Sequence, residues 1–417
     1  MSKARVYLDN AATSFPKPDA VHEAMARYST DPAFGAGSPG RGAYAEARRA
    51  GQAVIRCRER ILRLIGGQGG PERIVFALNC SDALNLGIKG LLAPLSREAK
   101  AKGGAMPHVV TSAMDHNSVL RPLRALEERG EISVTRVACD PFTGALDARS
   151  VAAAITPSTR LVALNHASNV TGVIQPIEAI GAACAERGVP LLVDAAQSLG
   201  HMPIDARAMN IAMLAFPGHK GLLGPTGTGG LYLAPGMEAL VEPIREGGTG
   251  SHSELDRQPD ELPDKYEPGS LNTLGIVGLS EGARWILDRG VEALREHELG
   301  LCRAFLDELE GSAVRVVGPA EPERRVAVFS VSIVGVSPHE LAMILESHFG
   351  LLTRAGLHCA PLAHENAGTL EGGGLTRLSF GAFNSEGDAR YAARSLIEVA
   401  RSSNVPVGDR RSAASTC

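Results

Sequence analysis

Lys220 stands in the run Phe216-Pro217-Gly218-His219-Lys220-Gly221, 26 residues beyond Asp194, which closes the apolar stretch Val189-Pro190-Leu191-Leu192-Val193. An amine and a carboxylate in that order suit chemistry on an aldehyde carried by a pyridine ring. The amine forms a Schiff base with the aldehyde, and the carboxylate keeps the ring nitrogen protonated so that the ring accepts electrons. Pyridoxal phosphate is the group that needs both. Taken singly, Asp194 reads equally as a helix cap and Lys220 as a solvated lysine.

Three more apolar runs end in polar residues that suit the same group. Asn79-Cys80-Ser81-Asp82 opens a helical pattern, where free amides and a hydroxyl suit a phosphate; an ordinary N-cap at Ser81 is the plain alternative. Met114-Asp115-His116-Asn117-Ser118 offers His116, which could stack on a planar ring and carry a proton, or simply cap a turn. Asn165-His166-Ala167-Ser168-Asn169 offers Asn169, a donor to a ring oxygen or a turn-former. Gln197, three residues past Asp194, could face the same ring.

The elements that must position these residues follow a rhythm. Short apolar runs alternate with helical patterns from about residue 20 to 240, as in crossover units around a mostly parallel sheet. Strands are predicted at 73–77, 108–112, 160–165, 190–194, 211–216 and 229–233, and helices at 82–92 and 177–187. In such sheets ligands sit beyond the carboxyl ends of the strands, where the polar residues above lie. Residues 247–272, rich in Gly and Pro, read as a long functional loop leading to a second domain. There an amphipathic stretch at 276–309 precedes β-like runs at 314–317 and 326–334 and a helix at 338–349. Residues 401–417, rich in Ser, Arg and Ala, are expected to fray.

Composition narrows the function classes. With 417 residues, 44% of them apolar, the chain supports a sizeable core, and two domains is the natural reading of its length. A net charge of −4, from 42 basic and 46 acidic residues, carries no nucleic-acid or anionic-membrane footprint. Neither a signal peptide nor a run of about 18 apolar residues is visible, so the cytoplasm is the expected compartment. Seven cysteines without a C-x-x-C pair argue against disulfides and against a metal site.

Together these pieces resemble the class V aminotransferases, pyridoxal phosphate enzymes of fold type I, and within them the cysteine desulfurases and selenocysteine lyases. The resemblance runs from Tyr7-Leu8-Asp9-Asn10-Ala11-Ala12-Thr13 to Arg377-Leu378-Ser379-Phe380-Gly381-Ala382-Phe383-Asn384. It implies an α/β fold with a large domain, 16–258, built on a mostly parallel seven-stranded sheet. A smaller C-terminal α/β domain would comprise 1–15 and 259–402, with 403–417 a disordered tail. It also implies that Lys220 carries the Schiff base, Asp194 pairs with the pyridinium, Gln197 contacts the phenolic oxygen and His116 stacks on the ring. Ser81 and His219, with Cys80 beside them, would hold the phosphate. Gly248-Thr249-Gly250 and Glu267-Pro268-Gly269-Ser270 look like segments that reach a partner subunit's cofactor phosphate, implying a homodimer with shared sites through Thr249 and Ser270. Pro217 departs from the pattern: relatives commonly place Ser or Thr there, and proline has neither a hydroxyl nor an N–H.

The segment Thr353-Arg354-Ala355-Gly356-Leu357-His358-Cys359-Ala360-Pro361-Leu362 resembles the cysteine loop of the second group of desulfurases. A thiolate is the nucleophile in such chemistry, and Arg354 and His358 are cationic neighbours that would favour it. A small buried cysteine is the plain alternative. Arg377 matches the arginine that grips the substrate α-carboxylate, a task suited to its planar fork, with Asn169, Arg354 and Asn10 as further substrate contacts. The implied reaction converts L-cysteine, or L-selenocysteine, to L-alanine. Lys220 would move the α-proton, His116 would serve as acid and base, and Cys359 would take the sulfur as a persulfide for an acceptor protein. Transamination, racemisation or a carbon–sulfur lyase reaction would use the same cofactor residues and make Cys359 incidental. A sulfur-trafficking scaffold without activity is the reading from another class.

Overall fold

The computed structural model describes residues 5–33 and 37–403. The expected tail therefore lies outside the described residues from 404 onward, and 401–402 close a helix instead of fraying. In chain order, the first half comprises β1 (Val6–Tyr7), α1 (Asp19–Thr30), α2 (Ala45–Leu64), β2 (Ile74–Ala77), α3 (Cys80–Lys102), β3 (His108–Ser112) and α4 (Asn117–Glu128). Next come β4 (Ser133–Val137), α5 (Ala148–Ala154), β5 (Thr159–Asn165), α6 (Ile177–Glu186), β6 (Leu191–Asp194), β7 (Met213–Pro217), β8 (Gly229–Leu233) and α7 (Met237–Leu240). The remainder is α8 (Thr273–Arg289), α9 (Val291–Leu309), β9 (Arg315–Val317), β10 (Val328–Ser332), α10 (Pro338–Phe349), β11 (Leu351–Leu352), β12 (Arg354–Gly356), α11 (Pro361–Asn366), β13 (Leu375–Ser379) and α12 (Glu386–Ser402).

Seven strands form the large sheet in the order β2-β8-β7-β6-β5-β3-β4, and only β8 runs against the rest. The expected α/β class and seven-stranded sheet are observed. Strand residues alternate between two cores because successive side chains point to opposite faces. Val162, Leu164, Leu191 and Val193 join one core with α2, α6 and α8, while Leu161, Ala163 and Leu192 join the other with α3 and α4. Helices on both faces explain why β5 to β7 read as continuous apolar runs. β4, absent from the strands predicted by pattern, is an edge strand with exposed Ser133 and Thr135.

The amphipathic stretch at 276–309 forms two helices, α8 and α9, divided at Gly290, whose φ of 83° is natural only to glycine. Ile276, Leu279, Ala283 and Ile286 of α8 pack within a large-sheet core. α8 thus packs on the large sheet. Glu267 reinforces this through its buried ion pair with Arg58 at 2.6 Å.

The small domain packs α9, α10 and α12 around an antiparallel sheet ordered β12-β13-β10-β9. Phe305, Phe329 and Phe380 form its aromatic centre, and Leu8 from the N-terminal segment joins that core. A strap, residues 169–174, binds the two domains. Arg377 donates to the Asn169 carbonyl, Ser330 to Val170, Arg325 to Thr171 and the Val326 amide to Gly172, while the Ile174 amide donates to Arg324.

Candidate active site

The carboxyl ends of β2, β3, β5, β6 and β7 converge on one cavity, lined by Cys80, Ser81, His116, Ser118, Asn169, Asp194, Gln197, Pro217, His219 and Lys220 among others. Asp194 ends β6 and is buried. Its Oδ1 accepts from the Ala196 amide at 2.9 Å and from the Cys80 thiol at 3.4 Å. Burial raises the Cys80 thiol well above its ordinary range, with Asp194 adding to that, so Cys80 remains a donor to the carboxylate. Burial also holds the Lys220 amine below the usual lysine range, against the opposing pull of Asp194. Among the described residues that amine has no hydrogen-bond or ion-pair partner.

Two helices begin in this cavity. α3 is capped by Asn79, whose side chain takes the Asp82 amide while its carbonyl takes that of Ala83. Ser81 is therefore not the cap, and among the described residues nothing takes the amides of Cys80 and Ser81. His116 caps α4 by accepting from the Ser118 amide through Nδ1 at 3.0 Å, and it lines the cavity at the same time. Burial pushes His116 down to about 4, with Lys220 adding to the shift and Asp194 opposing it. The loop beneath it is fixed by Asp115, which accepts from Thr111, Ser112 and the Asn165 amide. His219 is likewise pushed to about 4 by burial and by Lys220, and its Nδ1 is buried without a partner. Gln197 donates to the Ala11 carbonyl at 2.9 Å.

The small domain delivers the other half. Arg377 is 1% exposed, donates to Asp9 Oδ1 at 2.6 Å, and keeps its Nε buried without a partner. Arg354 places a guanidinium nitrogen 3.6 Å from the Cys359 sulfur. Cys359 is exposed, so the buried-cysteine reading is not what the structure gives. His358 and Cys359 both have left-handed φ, 51° and 59°, a costly conformation for residues with a side chain. The turn is held by the large domain: the Asn117 amide, at the positive end of α4, donates to the Cys359 carbonyl at 2.9 Å, and Asn169 Nδ2 donates to the His358 carbonyl at 2.6 Å.

Some expected contacts find other work. Asn10 gives its amide hydrogens to the Ser379 carbonyl and Asn384, and its oxygen accepts from the Phe15 amide, so this side chain braces the N-terminal segment and does not reach the cavity. His358 is buried, pushed down to about 2 chiefly by burial and Arg377, and its Nε2 faces the Arg354 carbonyl; a neutral ring there is no cationic neighbour for Cys359. Asn169 spends its amide on the cysteine turn. Thr249 and Ser270 lie together in a different groove of about 950 Å³, with Arg41 and Arg58. Asp9 and Ser118 were missed. Asp9 pairs with a residue 368 positions away, and Ser118 looks in sequence like any first-turn serine.

A family model described as Aminotransferase class-V matches residues 6–391. The chain belongs to the class V aminotransferase family. A probable cysteine desulfurase of Methanothermobacter thermautotrophicus is 33% identical over 403 residues, covering 95% of this chain and 94% of that one. The cysteine desulfurase IscS of Vibrio campbellii is 32% identical over 404 residues, covering 94% and 92%. The apo structure of cysteine desulfurase from Thermococcus onnurineus NA1 matches with a TM-score of 0.85 at 31% identity, over 95% of each chain.

Class V aminotransferases use pyridoxal phosphate, and this cavity fits it. An unpartnered desolvated amine, a buried carboxylate at a strand end, two free amides at the start of a 23-residue helix and an orphaned His219 nitrogen are what its aldehyde, ring nitrogen and phosphate require.

Proposed function

We propose that this class V aminotransferase is a cysteine desulfurase that converts L-cysteine to L-alanine and takes the sulfur on Cys359. What carries the reading is the Cys359 turn. An exposed thiol beside Arg354, in a strained turn fastened to the rim of the Lys220 cavity, has no purpose in a simple transaminase.

When bound, pyridoxal phosphate supplies an aldehyde carbon for the substrate amine and a ring that accepts electrons. Lys220 would hold it, Asp194 would keep the ring nitrogen protonated, and Ser81 with His219 would hold its phosphate. Arg377 orients the substrate through the α-carboxylate, using the free Nε beside the nitrogen given to Asp9. Lys220, whose amine burial holds below the usual lysine range, takes the α-proton and returns a proton as the alanine is completed after the sulfur has left. His116, neutral with Nδ1 held by the Ser118 amide, carries its proton on Nε2 and presents it as a donor to substrate or product. Cys359 attacks the substrate sulfur as thiolate; the carbon–sulfur bond breaks, the electron pair stays with carbon, and a sulfur–sulfur bond forms on the enzyme. Arg354 and the α4 N-terminus both place positive potential beside that sulfur. Exposure of Cys359 then leaves the sulfur open to an acceptor protein.

Thr249 and Ser270 belong to the same reading. Their groove is the surface on which a second copy would sit, so that each reaches the partner's cofactor phosphate in a homodimer.

The test is Cys359→Ala assayed with L-cysteine. The variant is expected to keep the absorbance of bound cofactor, lose alanine and sulfide formation, and gain no sulfur by mass, whereas the unaltered chain gains one sulfur atom on the peptide containing Cys359. Undiminished alanine formation would remove Cys359 as the nucleophile, and pyruvate with ammonia would point to plain elimination.

A further inference from the structure

Two serines from different helices meet inside the Lys220 cavity. Ser81 Oγ lies 2.6 Å from Ser118 Oγ, and Ser118 Oγ lies 2.9 Å from His116 Nδ1. All three residues line the cavity. His116 Nδ1 also accepts from the Ser118 amide, so the neutral ring carries its proton on Nε2. One side chain thus touches both the α3 N-terminus and the ring expected to stack on the cofactor.

An anion at the α3 N-terminus meets the free amides of Cys80 and Ser81 and the Ser81 hydroxyl. The first-turn amides of α4 are not available to it, because Asn117 donates to the Cys359 carbonyl and Ser118 to His116. From α4 only the Ser118 hydroxyl remains. Pro217 lines the same cavity without a hydroxyl or an N–H. The donor set for a phosphate is therefore short on one side and has a hydroxyl to spare on another.

We propose that Ser118 is a ligand of the cofactor phosphate, supplying with Ser81 the hydroxyl donor that position 217 cannot give. The inference rests on reading this cavity as a pyridoxal phosphate site. In the structure the two hydroxyls lie in a Ser81–Ser118–His116 chain. A phosphate would draw both hydroxyl protons outward, leaving His116 Nδ1 to the Ser118 amide alone. Occupancy of the phosphate seat would then be felt at the ring of His116.

Comparing pyridoxal phosphate with pyridoxal isolates the phosphate. The full chain is titrated with each, following the absorbance of the bound cofactor. Ser118→Ala is expected to weaken pyridoxal phosphate about tenfold or more, the effect of losing one charge-assisted hydrogen bond, and to leave pyridoxal binding unchanged. Pro217→Ser added to Ser118→Ala should recover most of that loss. Should Ser118→Ala fail to fold, Ser118→Cys, similar in size and a weak donor, gives the same comparison. Unchanged affinity for pyridoxal phosphate, or equal weakening of both compounds, overturns the role of Ser118. Failure of the unaltered chain to bind pyridoxal phosphate would instead overturn the site reading itself.

Discussion

Arg354 and Arg377 stand directly opposite each other on β12 and β13, two guanidinium groups on one face of an antiparallel pair. Like charges so placed repel unless anions divide them. Asp9 meets Arg377 at 2.6 Å, and the Cys359 sulfur lies 3.6 Å from Arg354. The pair is thereby split into a carboxylate-facing arginine and a sulfur-facing one. A cysteine substrate, with a carboxylate at one end and sulfur at the other, matches that division.

The two arginines should accordingly fail in different ways. Arg377→Lys loses the planar fork and is expected to lower kcat/KM for cysteine about a hundredfold, mostly through KM. Arg354→Gln should leave KM close to that of the unaltered enzyme and lower kcat, because it acts at the sulfur. Steady-state kinetics with both variants check this; identical KM and kcat effects would contradict the division of labour.

Thiol reactivity offers a second check. Burial raises Cys57, Cys139 and Cys302 to about 12 and Cys184 to about 11, and Cys80 is raised as well. Only a thiolate is alkylated, so these five should resist iodoacetamide at neutral pH. Cys359, the one exposed cysteine among the described residues, should be labelled ahead of all five. Peptide mass mapping after brief treatment reads the order directly, and labelling of Cys80 ahead of Cys359 would contradict it.

Much of this site was legible because strand ends are local. Asp194, Ser81, His116, Asn169 and Lys220 each follow an apolar run, and a parallel sheet gathers such positions on one edge. Partnerships between distant segments were not legible. Nothing in Tyr7-Leu8-Asp9-Asn10 marks Asp9 for Arg377, nor tells that Asn10 is consumed by Ser379 and Asn384. β4 escaped because an edge strand with polar alternate positions has a weak apolar pattern. The apolar spacing of α8 says that it packs, not on what. His358 misled for a related reason, since only the fold reveals that burial keeps it neutral.

Stability should fall in mild acid, and the cause is identifiable. Fully buried His166 and His364 are pushed from an ordinary value of about 6.5 to about 4 by burial, so the unfolded chain binds protons there that the folded chain refuses. Their contribution is complete above about pH 6.5 and is lost as pH falls toward 4, by about 3 kcal/mol for each group. Calorimetry across that window should show a falling Tm. His364→Gln should flatten the slope, and an unchanged slope would place the proton uptake elsewhere.

The strap between the domains makes the last prediction. Arg325 is fully buried, and its two terminal nitrogens donate to the carbonyls of Pro319, Thr171 and Val328 while its guanidinium lies 4.1 Å over the Phe329 ring. Burial lowers it to about 10, so it stays cationic at neutral pH, with no carboxylate among its described partners. Arg325→Met keeps an unbranched apolar stem but leaves three carbonyls without this donor. The buried charge disappears as well, which offsets part of the loss, and a net destabilisation of about 3 kcal/mol is expected. The consequence for the site follows from position: Thr171 lies two residues from Asn169, which holds both the cysteine turn and Arg377. Arg325→Met should therefore speed amide hydrogen exchange in residues 169–174 and raise KM for cysteine, with the absorbance of bound cofactor unaltered. Unchanged exchange in that segment would mean that Ser330 and Val326 hold the strap without Arg325.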